Sequence, residues 1–152
     1  MTTHISLRLK DATQDLSNLA ASLKLPVARI WKVGDNRKTP RGDPLDGRYQ
    51  ESYCALKVVS EAGTIEGAIE VIQQALASSA LHHQLLAPGI RKILYCTLDS
   101  GGEVLGLTAL KALADLGIEL EIDGSSATES TSDFRGDDQY AGGSSGAAGR
   151  QT

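Results

Sequence analysis

The residues best suited to chemistry lie in one polar stretch between residues 30 and 50, with the sequence IWKVGDNRKTPRGDPLDGRYQ. The single tryptophan of the chain, Trp31, is followed there by five cations and three aspartates: Lys32, Arg37, Lys38, Arg41 and Arg48, with Asp35, Asp43 and Asp46. A tryptophan beside cations can stack on a nucleic-acid base or anchor a protein interface. Long polar loops often carry function, which makes this stretch a candidate binding loop. In the alternative interpretation, Trp31 packs beneath the loop and the charges pair with one another.

Four carboxylates are the residues that acid–base catalysis could use: Asp99, Glu103, Glu119 and Glu121. Two carboxylates ~7 Å apart on one strand face, as expected for Glu119 and Glu121, can act as acid and base. A charged strand face or sheet edge is the commoner origin of that pattern. The sequence has no nucleophile elbow, zinc-protease, P-loop or dinucleotide-binding motif. No catalytic residue, metal ligand or cofactor is therefore assigned, and a small enzyme that uses these carboxylates stays an alternative.

The charge and composition of the whole chain narrow the class of protein. Its 152 residues carry a net charge of −4 with a pI of about 5.3, so no overall basic field attracts nucleic acid or an anionic membrane. No apolar run approaches the ~18 residues that span a bilayer, and the N-terminal segment has no signal-peptide pattern. Cys54 and Cys96 lie in apolar runs without the CxxC spacing of a metal site. We expect buried, reduced thiols in a cytoplasmic protein.

Apolar periodicity in the first half of the chain predicts a strand, a helix and two further strands. Alternating apolar residues in ISLRLK indicate a half-buried strand. Leucines at helical spacing follow, with Thr13 as the expected N-cap and Pro26 as the stop. The segments VARIWKV and YQESYCALKVVSE have strand character. The residues between these two segments, 34–47, are expected to form a polar crossing.

The second half of the chain predicts two helices that alternate with two strands. An apolar stripe at helical spacing begins at Ile65, and the segment IRKILYCTLDS is expected to be a strand. The following short helix is expected to carry its apolar face on Leu107, Leu110, Leu113 and Ala114. Gly117 stands where a left-handed C-cap is expected. The alternating segment IELEIDG then predicts a closing strand.

The order of these elements predicts an α+β fold. The first six, in the order βαββαβ, match the ferredoxin-like split βαβ pattern, and a further helix and strand extend it. We expect the helices to cover one face of a mixed, mostly antiparallel sheet in a single domain of residues 1–123. Residues 124–152 are rich in Gly, Ser and Asp and are expected to form a tail that is disordered or ordered by a partner. Phe134 and Tyr140 are its candidate anchors.

Three segments of the chain carry a resemblance to a known family: ISLRLK, SLKLPVARIWKVGDNRKTPRG and LTALKALADLGIELEID. The most specific feature is a Trp-x-x-Gly-Asp element at Trp31–Asp35, which follows Pro26 and leads into a basic stretch with Gly and Pro. Over roughly residues 4–123 the chain resembles the bacterial domain-of-unknown-function family 4279. Members often carry a second tryptophan after the loop, where this chain has Tyr49 and Tyr53. The resemblance implies a fold and a candidate surface, but no reaction.

The sequence favours a non-enzymatic domain that binds a protein partner, as an inhibitor or immunity-type protein does. The expected contact residues are Trp31, Lys32, Asp35, Arg37, Lys38, Arg41, Arg48 and Tyr49. The cations would steer the domain toward an acidic patch, and the tryptophan would be the central anchor. Nucleic-acid or nucleotide binding through the basic loop 29–48 is an alternative, and it predicts exposed aromatic residues on the open sheet face. Self-association into a homo-oligomer also stays open, whereas no membrane contact is expected.

Overall fold

The computed structural model describes residues 2–99 and 102–124, and these residues form seven strands and four helices. The strands are β1 (Thr2–Asp11), β2 (Val27–Trp31), β3 (Asn36–Lys38), β4 (Pro44–Arg48), β5 (Ser52–Lys57), β6 (Arg91–Leu98) and β7 (Ile118–Asp123). The helices are α1 (Ser17–Leu23), α2 (Ile65–Ser78), α3 (His82–Leu85) and α4 (Leu107–Leu116). Within the described ranges, none of these helices is both long and apolar enough to cross a membrane. The predicted tail, apart from Gly124, lies outside the described residues.

Five strands form one mixed sheet in the order β2-β5-β1-β6-β7, and β3 and β4 form a separate two-stranded sheet. β5 and β6 flank β1 in antiparallel register, with Leu7 opposite both Leu56 and Leu94. β2 pairs antiparallel with β5, whereas β7 runs parallel to β6. Helix α1 connects β1 to β2, but β5 lies between these two strands in the sheet. In the same way, α2 lies between β5 and β6 in the chain, but β1 lies between these two strands in the sheet. The predicted α+β class with a mixed sheet is confirmed.

The hydrophobic core lies between the helices and one face of the five-stranded sheet. Leu7, Leu56 and Leu94 contribute fully buried side chains from three adjacent strands, and burial of each such side chain stabilises the fold by roughly 1.5–3 kcal/mol. The stripe that α2 contributes is Ile65, Ala68, Ile69, Ile72 and Leu76, as predicted. Because successive side chains of a strand point to opposite sides of the sheet, a second set of residues lies on the side away from the core, which we call the opposite face. These include Arg8 and Lys10 of β1, Arg29 and Trp31 of β2, Tyr53 of β5, Tyr95 of β6, and Glu119 and Glu121 of β7.

The start of α1 differs from the prediction, because Thr13 does not cap it. The N-cap position is Leu16, which makes no capping hydrogen bond with its side chain. The carboxylate of Asp11 accepts hydrogen bonds from the N–H groups of Thr13 (2.9 Å) and Gln14 (2.8 Å). This aspartate turns the chain before the helix begins, so that Thr13 belongs to the turn.

The predicted apolar face of α4 is wrong for three of its four residues, because Ala114 is exposed as well as Leu107 and Leu110. Leu113 is buried, but Leu107 is 85% exposed and Leu110 is 45% exposed. The sequence LTALKALADL has apolar residues around much of the helix, so periodicity alone cannot decide which stripe is buried. Packing against α2 and β7 selects the stripe with Ala109 and Leu113. The predicted C-cap is confirmed, because Gly117 has a φ of 66°.

Candidate functional site

The polar crossing predicted at residues 34–47 is wrong, because β3 and β4 pair there as an antiparallel hairpin. We call residues 32–50, which contain this hairpin, the arm. Its turns place glycines in the left-handed region, with φ of 89° at Gly34 and 96° at Gly42, where an L-residue would be strained. The sequence pattern does not predict this hairpin, because its strands are short and polar and show no apolar alternation.

A tight turn at the base of the arm ties it to the sheet. The Asp35 carboxylate accepts a hydrogen bond from the N–H of Lys32 (2.9 Å), and the Asp35 N–H donates to the Lys32 carbonyl (3.0 Å). The N–H of Val33 donates to the hydroxyl of Ser52 on β5 (3.0 Å), a residue that is fully buried. The arm is therefore positioned by the core of the sheet and not only by its own turn.

Side chains from both halves of the arm hold its two strands together. Arg48 donates to the carbonyl of Gly34 (2.8 Å), and Arg37 donates to the carbonyl of Asp46 (3.2 Å). The Tyr49 hydroxyl donates to the Lys38 carbonyl (3.0 Å) and accepts from the Lys38 N–H (3.2 Å). Several residues predicted to contact a partner, namely Asp35, Arg37, Arg48 and Tyr49, thus shape the arm itself.

Trp31 lies at the junction of the arm and the sheet, where it stacks on two tyrosines. Its ring centroid is 4.1 Å from that of Tyr49, with the planes 11° apart, and 4.4 Å from that of Tyr53, with the planes 23° apart. The indole N–H donates to the carbonyl of Glu51 (3.0 Å), and the Arg29 guanidinium lies 4.7 Å from the indole ring. Trp31 therefore packs against the arm, as the alternative interpretation expected, and joins it to β2 and β5.

A groove with a volume of ≈ 360 Å³ lies between β2 and the arm. From β2 it is lined by all five residues of the strand, Val27, Ala28, Arg29, Ile30 and Trp31. Because successive residues of a strand point to opposite faces of a sheet, a groove lined by five in a row follows the edge of the strand. β2 is an edge strand of the sheet, and its apolar residues Val27 and Ile30 are 49% and 41% exposed. Lys38, Pro40 and Tyr49 are among the lining residues of the arm.

The sequence pattern does not assign the apolar lining of the groove to a binding site. The sequence pattern places Val27 and Ile30 in a strand and Pro40 in a crossing, and it assigns only charged and aromatic residues to binding. Two apolar residues in a short segment next to the basic stretch were the available signal. Val27 and Ile30 are exposed because β2 is an edge strand, and the sequence pattern does not predict the position of a strand in the sheet.

The arm and β2 form a basic region in an acidic protein. Residues 27–50 contain six Lys and Arg side chains and three Asp side chains, a net charge of +3, whereas the whole chain carries −4. Lys32, Lys38 and Arg41 are exposed. In the part of the chain that the structure describes, Lys38 and Arg41 form no ion pair with a carboxylate. An anionic partner would therefore meet uncompensated positive charge at the arm.

The tyrosines on the opposite face of the sheet are covered by other side chains. The Arg8 guanidinium lies 3.8 Å from the centroid of the Tyr95 ring, and the Tyr95 hydroxyl donates to Asp123 (3.1 Å). Tyr95 is 5% exposed and Tyr53 is 4% exposed. A nucleic-acid base could stack on either ring only after displacing its cover. These two residues therefore do not form the exposed aromatic platform that the nucleic-acid alternative predicts.

Two of the carboxylates considered for catalysis already have structural partners. Glu103 accepts hydrogen bonds from the N–H groups of Ile65 (2.6 Å) and Glu66 (3.3 Å) at the start of α2. Glu119 forms a bidentate pair with Arg91 at 2.7 Å and 3.0 Å, and the hydrogen bond from Arg91 lowers the pKa of this exposed carboxyl. Neither carboxylate lines the groove.

The two thiols are buried and free, as predicted. Cys54 is on β5 and Cys96 is on β6, and β1 separates these strands. Burial raises the pKa of Cys54 to about 11. Burial, with a smaller effect from the Glu103 carboxylate, raises the pKa of Cys96 to about 12. Neither thiol has the ionised form that nucleophilic or metal-binding cysteines require.

No family model, curated protein sequence or solved structure matches this chain. The resemblance to family 4279 therefore stays a prediction.

Proposed function

We propose that this protein is a non-enzymatic domain that binds another protein through the groove between β2 and the arm. The observation that carries the proposal is the pairing of the exposed apolar residues Val27 and Ile30 with a basic arm on the other side of the groove. Apolar surface with a polar rim is typical of protein-binding sites. Trp31 and Tyr49 also line the groove, and large aromatic rings dominate the binding energy of many interfaces.

The internal bonding of the arm supports this function. A binding surface that is fixed before the partner arrives loses less conformational entropy on association than a mobile loop does. Five of the eight residues predicted to contact a partner then divide into two groups. Asp35, Arg37 and Arg48 fix the arm through bonds to its backbone, and Lys38 and Arg41 offer free charge to the partner.

We further propose that the first four strands of the main sheet form a ferredoxin-like sandwich, which β7 extends. The support is the arrangement of the two crossovers β1-α1-β2 and β5-α2-β6. In the sheet, β5 lies between the two strands of the first crossover, and β1 lies between the two strands of the second, as in the split βαβ pattern. The Trp31–Asp35 element that resembles family 4279 is the end of β2 and the turn into the arm. An inhibitor or immunity-type protein of the cytoplasm fits a domain that occupies a partner, and free buried thiols suit a reducing compartment.

A photo-reactive phenylalanine analogue placed at single positions tests the proposal. We would place it at Pro40, which lines the groove, and at Thr108, an exposed residue of α4, as the control position. Irradiation in an extract of the cells that make the protein should give a discrete protein adduct from position 40 and not from position 108. A nuclease-sensitive adduct would favour the nucleic-acid alternative, and equal adducts from both positions would contradict a binding groove.

Charge reversal in the arm provides a second test of the same adduct. Lys38→Glu combined with Arg41→Glu should greatly reduce the adduct from position 40. Lys24→Glu combined with Lys111→Glu makes the same change in net charge elsewhere on the surface and should leave it unchanged. Far-ultraviolet circular dichroism of both variants would verify that they are folded. Equal loss in both would mean that only the overall charge matters.

A further inference from the structure

We propose that the partner contributes an extended, acidic segment that adds to the edge of β2 as a further strand. This inference rests on the proposed function and names the kind of partner that the groove takes. β2 is bonded to β5 on one side, and its other edge follows the groove. An edge strand presents the N–H and C=O groups of alternate residues to its surroundings. A segment that pairs with them gains main-chain hydrogen bonds, and the groove walls select its side chains.

The space beside β2 suits one extended chain rather than the edge of a second sheet. The arm forms the other wall of the groove, whose volume is ≈ 360 Å³. β2 has five residues, and its register with β5 shifts between Val27 and Arg29. Short and irregular edge strands resist pairing with the edge of another sheet. The strand β7 of a second copy, with the sequence IELEID, would bring its whole sheet against the arm.

The charges and the alternation of β2 define the pattern of the segment. Arg29 and Trp31 belong to the opposite face of the sheet, and Ile30 belongs to the face that carries the core. On the arm side, Lys38 lines the groove. Asp35 is the carboxylate among the lining residues, and it accepts a hydrogen bond from the N–H of Lys32. Because the side chains of an added strand also alternate, those beside Arg29 should be acidic and those beside Ile30 apolar. The predicted segment therefore has acidic residues at every second position.

A peptide library displayed on phage tests this pattern with the full chain. Twelve-residue random peptides would be selected on the wild-type protein and then depleted on the Lys38→Glu, Arg41→Glu variant. The expected winners have Asp or Glu at every second position between apolar residues, and they bind the wild type at least about tenfold more tightly than the variant. Their affinity for the Lys24→Glu, Lys111→Glu variant should be unchanged. Winners with helical spacing, basic winners or no enrichment would overturn the proposal.

Backbone methylation of one winning peptide tests the strand addition itself. N-methylation removes a single N–H donor, so it should abolish binding at alternate positions and be tolerated at the positions between them. Hydrogen exchange of the amides of residues 27–31 should slow on binding, whereas that of β7 should not. Tolerance at every position, or protection of β7 instead, would overturn the proposal.

The photo-adduct experiment separates the failure of this inference from failure of the proposed function. If position 40 captures a protein but the captured peptide lacks acidic alternation, the strand addition fails and the proposed function stands. If position 40 captures no protein, both fail. Irradiation of the purified chain tests two other occupants: a dimeric adduct would assign the groove to a second copy, and an internal adduct to residues 125–152 would assign it to the chain's own C-terminal segment. Either result would overturn the proposal.

Discussion

Trp31 and Tyr49 stack with their ring centroids 4.1 Å apart and their planes 11° from parallel, so one aromatic contact joins the edge strand β2 to the arm. Trp31 is the last residue of β2, and Tyr49 directly follows β4. The Tyr49 hydroxyl bonds both backbone groups of Lys38 on β3. This pair therefore sets the position of the arm relative to the strand edge, and with it the shape of the groove.

Removal of the Tyr49 ring should release the arm. Tyr49→Ala loses the stack and both hydrogen bonds to Lys38, and we expect the free energy of unfolding to fall by about 1–3 kcal/mol. Tyr49→Phe keeps the stack and should cost about 1 kcal/mol. Urea unfolding measures both values, and hydrogen exchange of residues 36–48 should accelerate most in the alanine variant. Unchanged exchange there would show that the stack does not hold the arm.

Charge reversal at Lys38 and Arg41 should separate binding from folding. Both side chains are exposed, and only the backbone groups of Lys38 take part in the hydrogen bonds that hold the arm. The double variant should therefore unfold within about 0.5 kcal/mol of the wild type while it loses the partner. Thermal and urea unfolding check the first part. A large loss of stability would mean that these cations are part of the framework.

Glu103 should stabilise α2 from outside the helix. Its carboxylate accepts hydrogen bonds from the first two N–H groups of the helix, at Ile65 and Glu66, and a negative charge there also favours the helix dipole. Glu103→Ala should lower the free energy of unfolding by about 0.5–2 kcal/mol. The control, Glu121→Ala on the exposed face of β7, should change it by less than about 0.5 kcal/mol. Equal effects in urea unfolding would refute the capping role.

The two thiols should not react in the folded protein. Burial raises the pKa of Cys54 to about 11 and is the main cause that raises that of Cys96 to about 12, so almost no thiolate forms at pH 8. Ellman's reagent should label neither residue until urea unfolds the chain, and then label both. Rapid labelling of one thiol in the native protein would place it at an accessible position instead.

Asp11 should make the protein more sensitive to acid. Hydrogen bonds from the Thr13 N–H and, to a smaller extent, the Gln14 N–H lower the pKa of this carboxyl below its ordinary value of 3.8. The folded state holds the proton less tightly than the unfolded state, so this stabilisation is present above pH 3.8 and is lost as the pH falls through the lower folded pKa. Asp11→Asn should weaken the decline of unfolding free energy below that pH. Identical pH profiles in urea unfolding would exclude this contribution.

Local pattern predicted those parts of the fold in which one face of an element is buried. The alternation in ISLRLK and the stripe from Ile65 to Leu76 both correspond to core residues of the structure, because burial of one face imposes the period of the strand or helix. The same reasoning failed for α4, where Leu107 and Leu113 are both predicted for the apolar face, but Leu107 is 85% exposed and only Leu113 is buried. Packing against neighbouring elements decides which apolar stripe of such a helix is buried.

By itself, the sequence determined the α+β class, the basic region around Trp31 and the burial of Cys54 and Cys96, because composition and periodicity depend on residues close together in the chain. Only the tertiary structure decided that residues 34–47 form a hairpin. The arm that contains this hairpin is tied to the sheet by long-range contacts such as Val33 with Ser52 and Tyr49 with Trp31, and the strands of the hairpin have no apolar face. The strand order, which makes β2 an edge beside the arm, is also a long-range property. The groove forms where the hairpin and the edge strand β2 come together at Trp31, and no local sequence pattern predicts either feature.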